Sequence, residues 1–178
     1  MQKLIPAVLL CIVAGGGARL VAQGAATVTI TKASLSTDAA NDSRQALMPP
    51  PGRAFLRVSV KVASGPSTID LTKVAVTDGP SRFAAIGADA MWDGDPKEFS
   101  MIAPSHLKSG KAIDPIEETK SAGSIAFAFK PGGPATIKIT TPPQSFCVLF
   151  EVPATLKSGQ VVGLGAAPMA LPALSAGR

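Results

Sequence analysis

The chain has no tyrosine, one histidine (His106), one tryptophan (Trp92) and two cysteines (Cys11 and Cys147). Each scarcity closes off a class of function. A blue-copper centre takes two histidines and a cysteine, usually with a weak methionine ligand, and His106 has no second histidine to join it. Nucleic-acid surfaces gather Lys and Arg on one face with aromatics among them. Here the basic residues are scattered and aromatics make up 4% of the chain. There is no Gly-x-Ser-x-Gly elbow, no His-Glu-x-x-His pair and no phosphate-cradling loop. A Ser-His-Asp arrangement is set by geometry rather than by order, so Ser105-His106 stays open, although beside Pro104 it reads more simply as surface loop. These absences predict a protein that is not an enzyme, carries no cofactor and binds no nucleic acid.

Long apolar runs are also missing. Lys3 precedes an apolar stretch over residues 4–14, too short for a bilayer core of ~30 Å, and Ala22-Gln23-Gly24 puts small side chains at −3 and −1 of a cut before Ala25. This predicts a signal peptide over 1–24, export to the periplasm or beyond, and no stable membrane span after cleavage. Arg19 is unusual between the apolar run and the cut, and an uncleaved N-terminal anchor is the alternative. Leu10 stands where a lipobox before Cys11 would want a small residue.

Residues 25–178, about 154 in number, are enough for one domain with a real core. The leader holds two of the seventeen cations, Lys3 and Arg19, so fifteen against twelve acids leave +3 in place of +5. Only Cys147 then remains. No intrachain disulfide can form despite an oxidising destination. The thiol is either a small buried hydrophobe, the favoured reading, or an exposed reactive group.

What the chain does have is two-residue alternation. In 54–63, Leu56, Val58, Val60 and Val62 alternate with Arg57, Ser59 and Lys61. Side chains along a strand point to opposite faces in turn, so this segment predicts a strand covering a core on one side only. Residues 26–35 open the domain with Val28 and Ile30 between threonines. Residues 36–52 read as a loop stiffened by Pro49, Pro50 and Pro51. Residues 69–77 and 82–88 read as a hairpin, with Gly79-Pro80 arguing against a tight two-residue turn. A short strand is expected at 99–102. Residues 103–122 read as a long irregular stretch, with one helical turn at Glu117 and Glu118. Alternation resumes over 123–130 and 135–141. Residues 144–152 are apolar on nearly both faces, which predicts a central strand. A last strand is expected at 160–165, and 166–178 as an edge strand or a frayed tail. Strands this short, separated by Gly/Pro turns, predict an all-β fold, an immunoglobulin-like antiparallel sandwich of about 8–9 strands.

Two segments carry a resemblance: 69–79, a strand running into Asp78-Gly79, and Phe150-Glu151-Val152-Pro153 late in the chain. With Phe55-Leu56-Arg57-Val58-Ser59-Val60 between them and the opening Val-Thr-Ile, most of 26–165 resembles the bacterial secreted immunoglobulin-like domains of unknown function that share the fold of the immunoprotective extracellular protein. The long region 89–122 and the hairpin at 131–143 depart from that pattern. The resemblance implies fold and export, and brings no catalytic residues. It implies an exported, non-enzymatic module for protein interaction or structure, with a protein partner not named by any motif and an oligomeric state that no motif settles. A metal-binding protein, for calcium or copper, is the alternative.

For calcium, Asp89, Asp93, Asp95 and Glu98 offer hard oxygens. Their spacing is not that of an EF-hand, and Asp-Gly-Asp-Pro is also an ordinary turn, so they stand as weak candidates and no metal site is expected. For Cu(I), Met91, Met101, His106 and Cys147 form a soft set that no spacing favours. Trp92 is either a sugar-stacking platform or a lid on the end of the core. The expected contact surface is the loop over 89–111, with Trp92, Met101 and His106.

Overall fold

The computed structural model describes residues 26–42, 44–92 and 95–177. Nine strands of four residues or more are found among these, and one of three. They are β1 (Thr27–Ser36), β2 (Arg53–Ser64), β3 (Ser67–Asp70), β4 (Ala75–Asp78), β5 (Ser81–Trp92), β6 (Glu118–Ala122), β7 (Ile125–Phe129), β8 (Ala135–Ile139), β9 (Gln144–Pro153) and β10 (Gln160–Val162). A large sheet runs β10-β4-β5-β9-β2-β1, extended by Met169–Ala170 beyond β10 and Ser175–Ala176 beyond β1. A small sheet runs β6-β7-β8-β3. The strands named here pair antiparallel, except Ser175–Ala176, which lies parallel to β1. The fold is all-β and sandwich-like.

Alternation explains the inner core. Leu56, Val58, Val60 and Val62 of β2 and Phe146, Val148, Phe150 and Val152 of β9 face the small sheet, which answers with Ile125, Phe127, Phe129, Ile137 and Ile139. All of these are at most 2% exposed. The rings of Phe127 and Phe129 meet edge to face at 5.8 Å, a favoured aromatic geometry. As the two-sided apolar pattern of 144–152 predicts, β9 is central, paired to β2 on one side and β5 on the other.

Four expectations need correction. First, β2 is not wet on its second face. Phe55 is fully buried and Ser59 nearly so, because a covering layer lies over them. Second, 69–77 is not one strand. β3 belongs to the small sheet and β4 to the large one, joined by a 3₁₀ turn over Leu71–Lys73. Asp70 caps that turn, its Oδ1 accepting from the Thr72 N–H at 3.1 Å and the Thr72 hydroxyl at 2.6 Å. The crossover drops Leu71 into the inner core. Third, the β4–β5 turn is the tight kind, since Asp78 pairs with Ser81. Gly79 takes the positive φ of 55°, and the fixed φ of proline suits the position after it in a type II′ turn. Fourth, 103–122 is not irregular throughout and has no helical turn at Glu118. Ser105–His106 pairs with Ala112–Ile113, and Glu118–Ala122 is β6, zipped to β7. The expected tail or edge strand of 166–178 supplies the two dipeptide strands at opposite edges of the large sheet.

Candidate functional site

The outer face of the large sheet is where the chemistry-bearing side chains gather. Part of that face is covered. Phe55, Ile86, Cys147 and Leu149 rise from the sheet, and Ala40, Leu47, Phe99, Met101 and Ile113 close over them as a second core. The cover is knitted by backbone bonds, from Phe99 N–H to the Asn41 carbonyl at 2.8 Å and from Met48 N–H to the His106 carbonyl at 2.8 Å. A bulge in β5 anchors it. Leu149 of β9 pairs with Gly87 while Phe150 pairs with Ala85, which leaves Ile86 as the extra residue. The Ile86 carbonyl accepts from Ile102 and Ala103 at 2.8 and 3.3 Å. Gly87 lets the cover lie close, because a Cβ there would stand 2.9 Å from both the Met101 sulfur and the Ser100 carbonyl.

Asp89 is the second anchor. It is 3% exposed, and its Oδ2 accepts the backbone N–H groups of Lys97 and Glu98 at 2.8 and 2.9 Å. Its Oδ1 takes Lys120 Nζ at 3.3 Å, and that ammonium also reaches the Glu98 carbonyl at 3.2 Å and lies 5.7 Å from the Phe127 ring centre. Both oxygens thus face donors, the reverse of what a calcium ion offers. Among the described residues no group of three or more His, Cys, Asp or Glu comes together to hold a metal. Asp93, with Gly94, lies outside the described residues, as do the side chains of Trp92 and Asp95. Glu98 is exposed.

Of the expected contact surface, Met101 must be withdrawn: at 2% exposure it fills the outer core. His106 is half-buried in its short hairpin, with Nδ1 3.3 Å from the Gly110 carbonyl. Of the soft set, Met101 and Cys147 are apolar filler of the same core, and Met91 packs against its edge.

Beside the cover lies a cleft of about 540 Å³, lined by Lys32 and Ser34 of β1, Arg57 and Ser59 of β2, Pro96, Cys147 and the tail strand at Ser175. Sequence reading missed it, because a register shift creates it. Val28 and Ile30 pair with Val62 and Val60 and face the inner core. Strict alternation would send Lys32 and Ser34 the same way. A bulge between Ile30 and Lys32 turns them outward, so that Lys32 pairs with Ser59 and Ser34 with Arg57. One inserted residue with a local flip of facing is what a β-bulge supplies. Arg57 is held by an Nη2 bond of 3.0 Å to the Ala39 carbonyl in the cover. Ser175 donates to the Ala33 carbonyl at 3.2 Å, fixing the far wall.

Cys147 forms the floor and is fully buried. Burial pushes its thiol up to about 12, while the Arg57 charge and a Ser59 hydrogen bond pull weakly the other way. The thiolate is the reactive form, so a thiol reagent should modify native protein near neutral pH roughly a thousandfold more slowly than urea-unfolded protein. Equal rates in the two states would contradict this burial. The folded thiol holds its proton to a higher pH than the unfolded one, ordinarily near 9.0. The native state therefore binds more protons above that point, and stability should fall as pH climbs from about 9 toward 12. Cys147→Ala should flatten that slope.

Comparison of the chain with family models, with curated proteins and with solved structures gives no match.

Proposed function

We propose that this chain is an exported, non-enzymatic recognition module of immunoglobulin-like type, binding a protein partner through the outer face of its large sheet. The open polar cleft on that face carries the reading. The rest of the face is sealed by the cover, and the groups there with chemical potential are occupied: Asp89 by backbone amides and Lys120, Cys147 by burial. Polar groups left lining a concave surface beside a rigid sheet are what recognition uses. The address rests on the leader read in residues 1–24, which lie outside the described residues.

The test is affinity capture from the native envelope fraction. Wild type is compared with Ser175→Trp, which fills the cleft from an exposed position, and with Trp92→Ala. A partner held by wild type and by Trp92→Ala but lost with Ser175→Trp is the expected result. Capture lost with Trp92→Ala alone would move the contact surface to the 89–111 loop. Capture of nothing that depends on either residue would overturn the reading.

A further inference from the structure

We propose that the cleft is a site for an oxyanion, a carboxylate or phosphate group borne by the ligand. The inference deepens the recognition reading, and rests on it, by naming the chemistry that enters. Two adjacent rungs of the β1–β2 ladder build the site. One pairs Lys32 with Ser59, the other Ser34 with Arg57. Each rung thus offers one cation and one hydroxyl, with the positions exchanged between rungs. The two cations stand on a diagonal, roughly 7–8 Å apart at the backbone, so their long side chains converge on the space between them. The Ser175 hydroxyl adds a polar group at the mouth.

The lining is one-sided in charge. No Asp or Glu is among the described residues that line it. Asp89 lies one strand beyond Cys147 in the same row, but its charge is met by two backbone N–H groups and Lys120. An arginine presents its donors in a planar fork that matches carboxylate and phosphate alike. The bond from Arg57 to the Ala39 carbonyl fixes where that fork sits, so less ordering is needed on binding. Hydroxyls complete the shell of an anion as donors. The volume of about 540 Å³ is in the range of small-ligand sites.

The test is thermal melting of the purified protein in sodium succinate and in inorganic phosphate, each against sodium chloride at matched ionic strength. A ligand that binds only the folded state raises the melting temperature as its concentration rises. The expected result is a saturable rise with at least one anion. Lys32 is exposed, so Lys32→Glu should fold normally in chloride and bind the anion at least ~tenfold more weakly. Ser34→Ala, which removes a hydroxyl and no charge, should weaken it less. A rise with succinate alone points to a carboxylate ligand, one with phosphate alone to a phosphate, and one with both to the shared oxyanion geometry. No rise above chloride, or an equal rise in Lys32→Glu, overturns the inference. If neither anion binds while Ser175→Trp still abolishes capture, the oxyanion is wrong and the recognition reading stands.

Discussion

Phe150→Ala should cost about 3–5 kcal/mol of folding stability. Phe150 is fully buried in the inner core. It sits on the central strand of the large sheet, paired with Leu56 on one side and Ala85 on the other. Its ring faces the small sheet, where Phe127, Phe129 and Ile137 are also closed to solvent. Two packed sheets hold their spacing through many other contacts, so they cannot collapse fully into the space one ring leaves. The cost is therefore the lost transfer free energy plus a residual cavity. With no disulfide to limit the unfolded ensemble, and a total stability of order 5–15 kcal/mol, that loss is a large share. Urea denaturation should show a lower midpoint with an unchanged slope, because the surface exposed on unfolding is nearly the same. Phe150→Leu, which keeps most of the volume, should cost clearly less. A loss below about 1.5 kcal/mol for Phe150→Ala would mean that the two sheets do not close on this ring.

Asp89→Ala should cost about 2–4 kcal/mol and act on the cover rather than on the inner core. The carboxylate is the only acceptor shown for the N–H groups of Lys97 and Glu98, and both lose it at once. Lys120 contributes less, since its side chain is 31% exposed and can turn to water. Asp89→Asn separates the two parts. The amide oxygen can still accept both backbone bonds, while the amide nitrogen faces Lys120 without attraction. Asparagine should thus recover more than half of the loss. Hydrogen exchange should quicken at Lys97, Glu98 and Ile102 in Asp89→Ala, with β7 and β8 unaffected, because the cover opens as a local unit. Equal cost for Ala and Asn would assign the work to the ion pair instead of the amide cradle.

Much of the sandwich is legible in the residues themselves. Alternating Leu56–Val62, Ile125–Phe129 and Phe146–Val152 place three strands and the face each turns to the core, since only one of the two faces can meet water at no cost. The near-continuous apolar run of 144–152 even places its strand in the middle of the sheet. The signal weakens where a strand owes its existence to a neighbour. Glu118–Ala122 alternates only between half-buried and exposed positions. Its sequence, Glu-Thr-Lys-Ser-Ala, has no apolar stripe, and it becomes β6 because β7 offers an open edge to pair with. The outer core escapes notice for a different reason. Ala40, Leu47, Phe99, Met101 and Ile113 come singly from separate turns of the cover, so no period marks them.

The candidate site was the least legible part. Asp89, Trp92, Met101 and His106 attract attention as rare or chemically able residues, yet the structure ties Asp89 into a backbone cradle and buries Met101. Lys32 and Arg57 look like the ordinary wet sides of two strands.

By itself the sequence determined the secondary-structure class, the inward face of each strongly alternating strand, the central place of β9 and the absence of a disulfide in residues 25–178. Those follow from local chemistry: a period of two, the placement of Gly and Pro, and a count of cysteines. Only the tertiary structure decided the covering layer, the crossover at Asp70 and the cleft. Each depends on one strand's register against another. A single extra residue at Thr31 or Ile86 changes which side a side chain faces, and pairing energies summed across the sheet, not any local preference, settle where that residue goes.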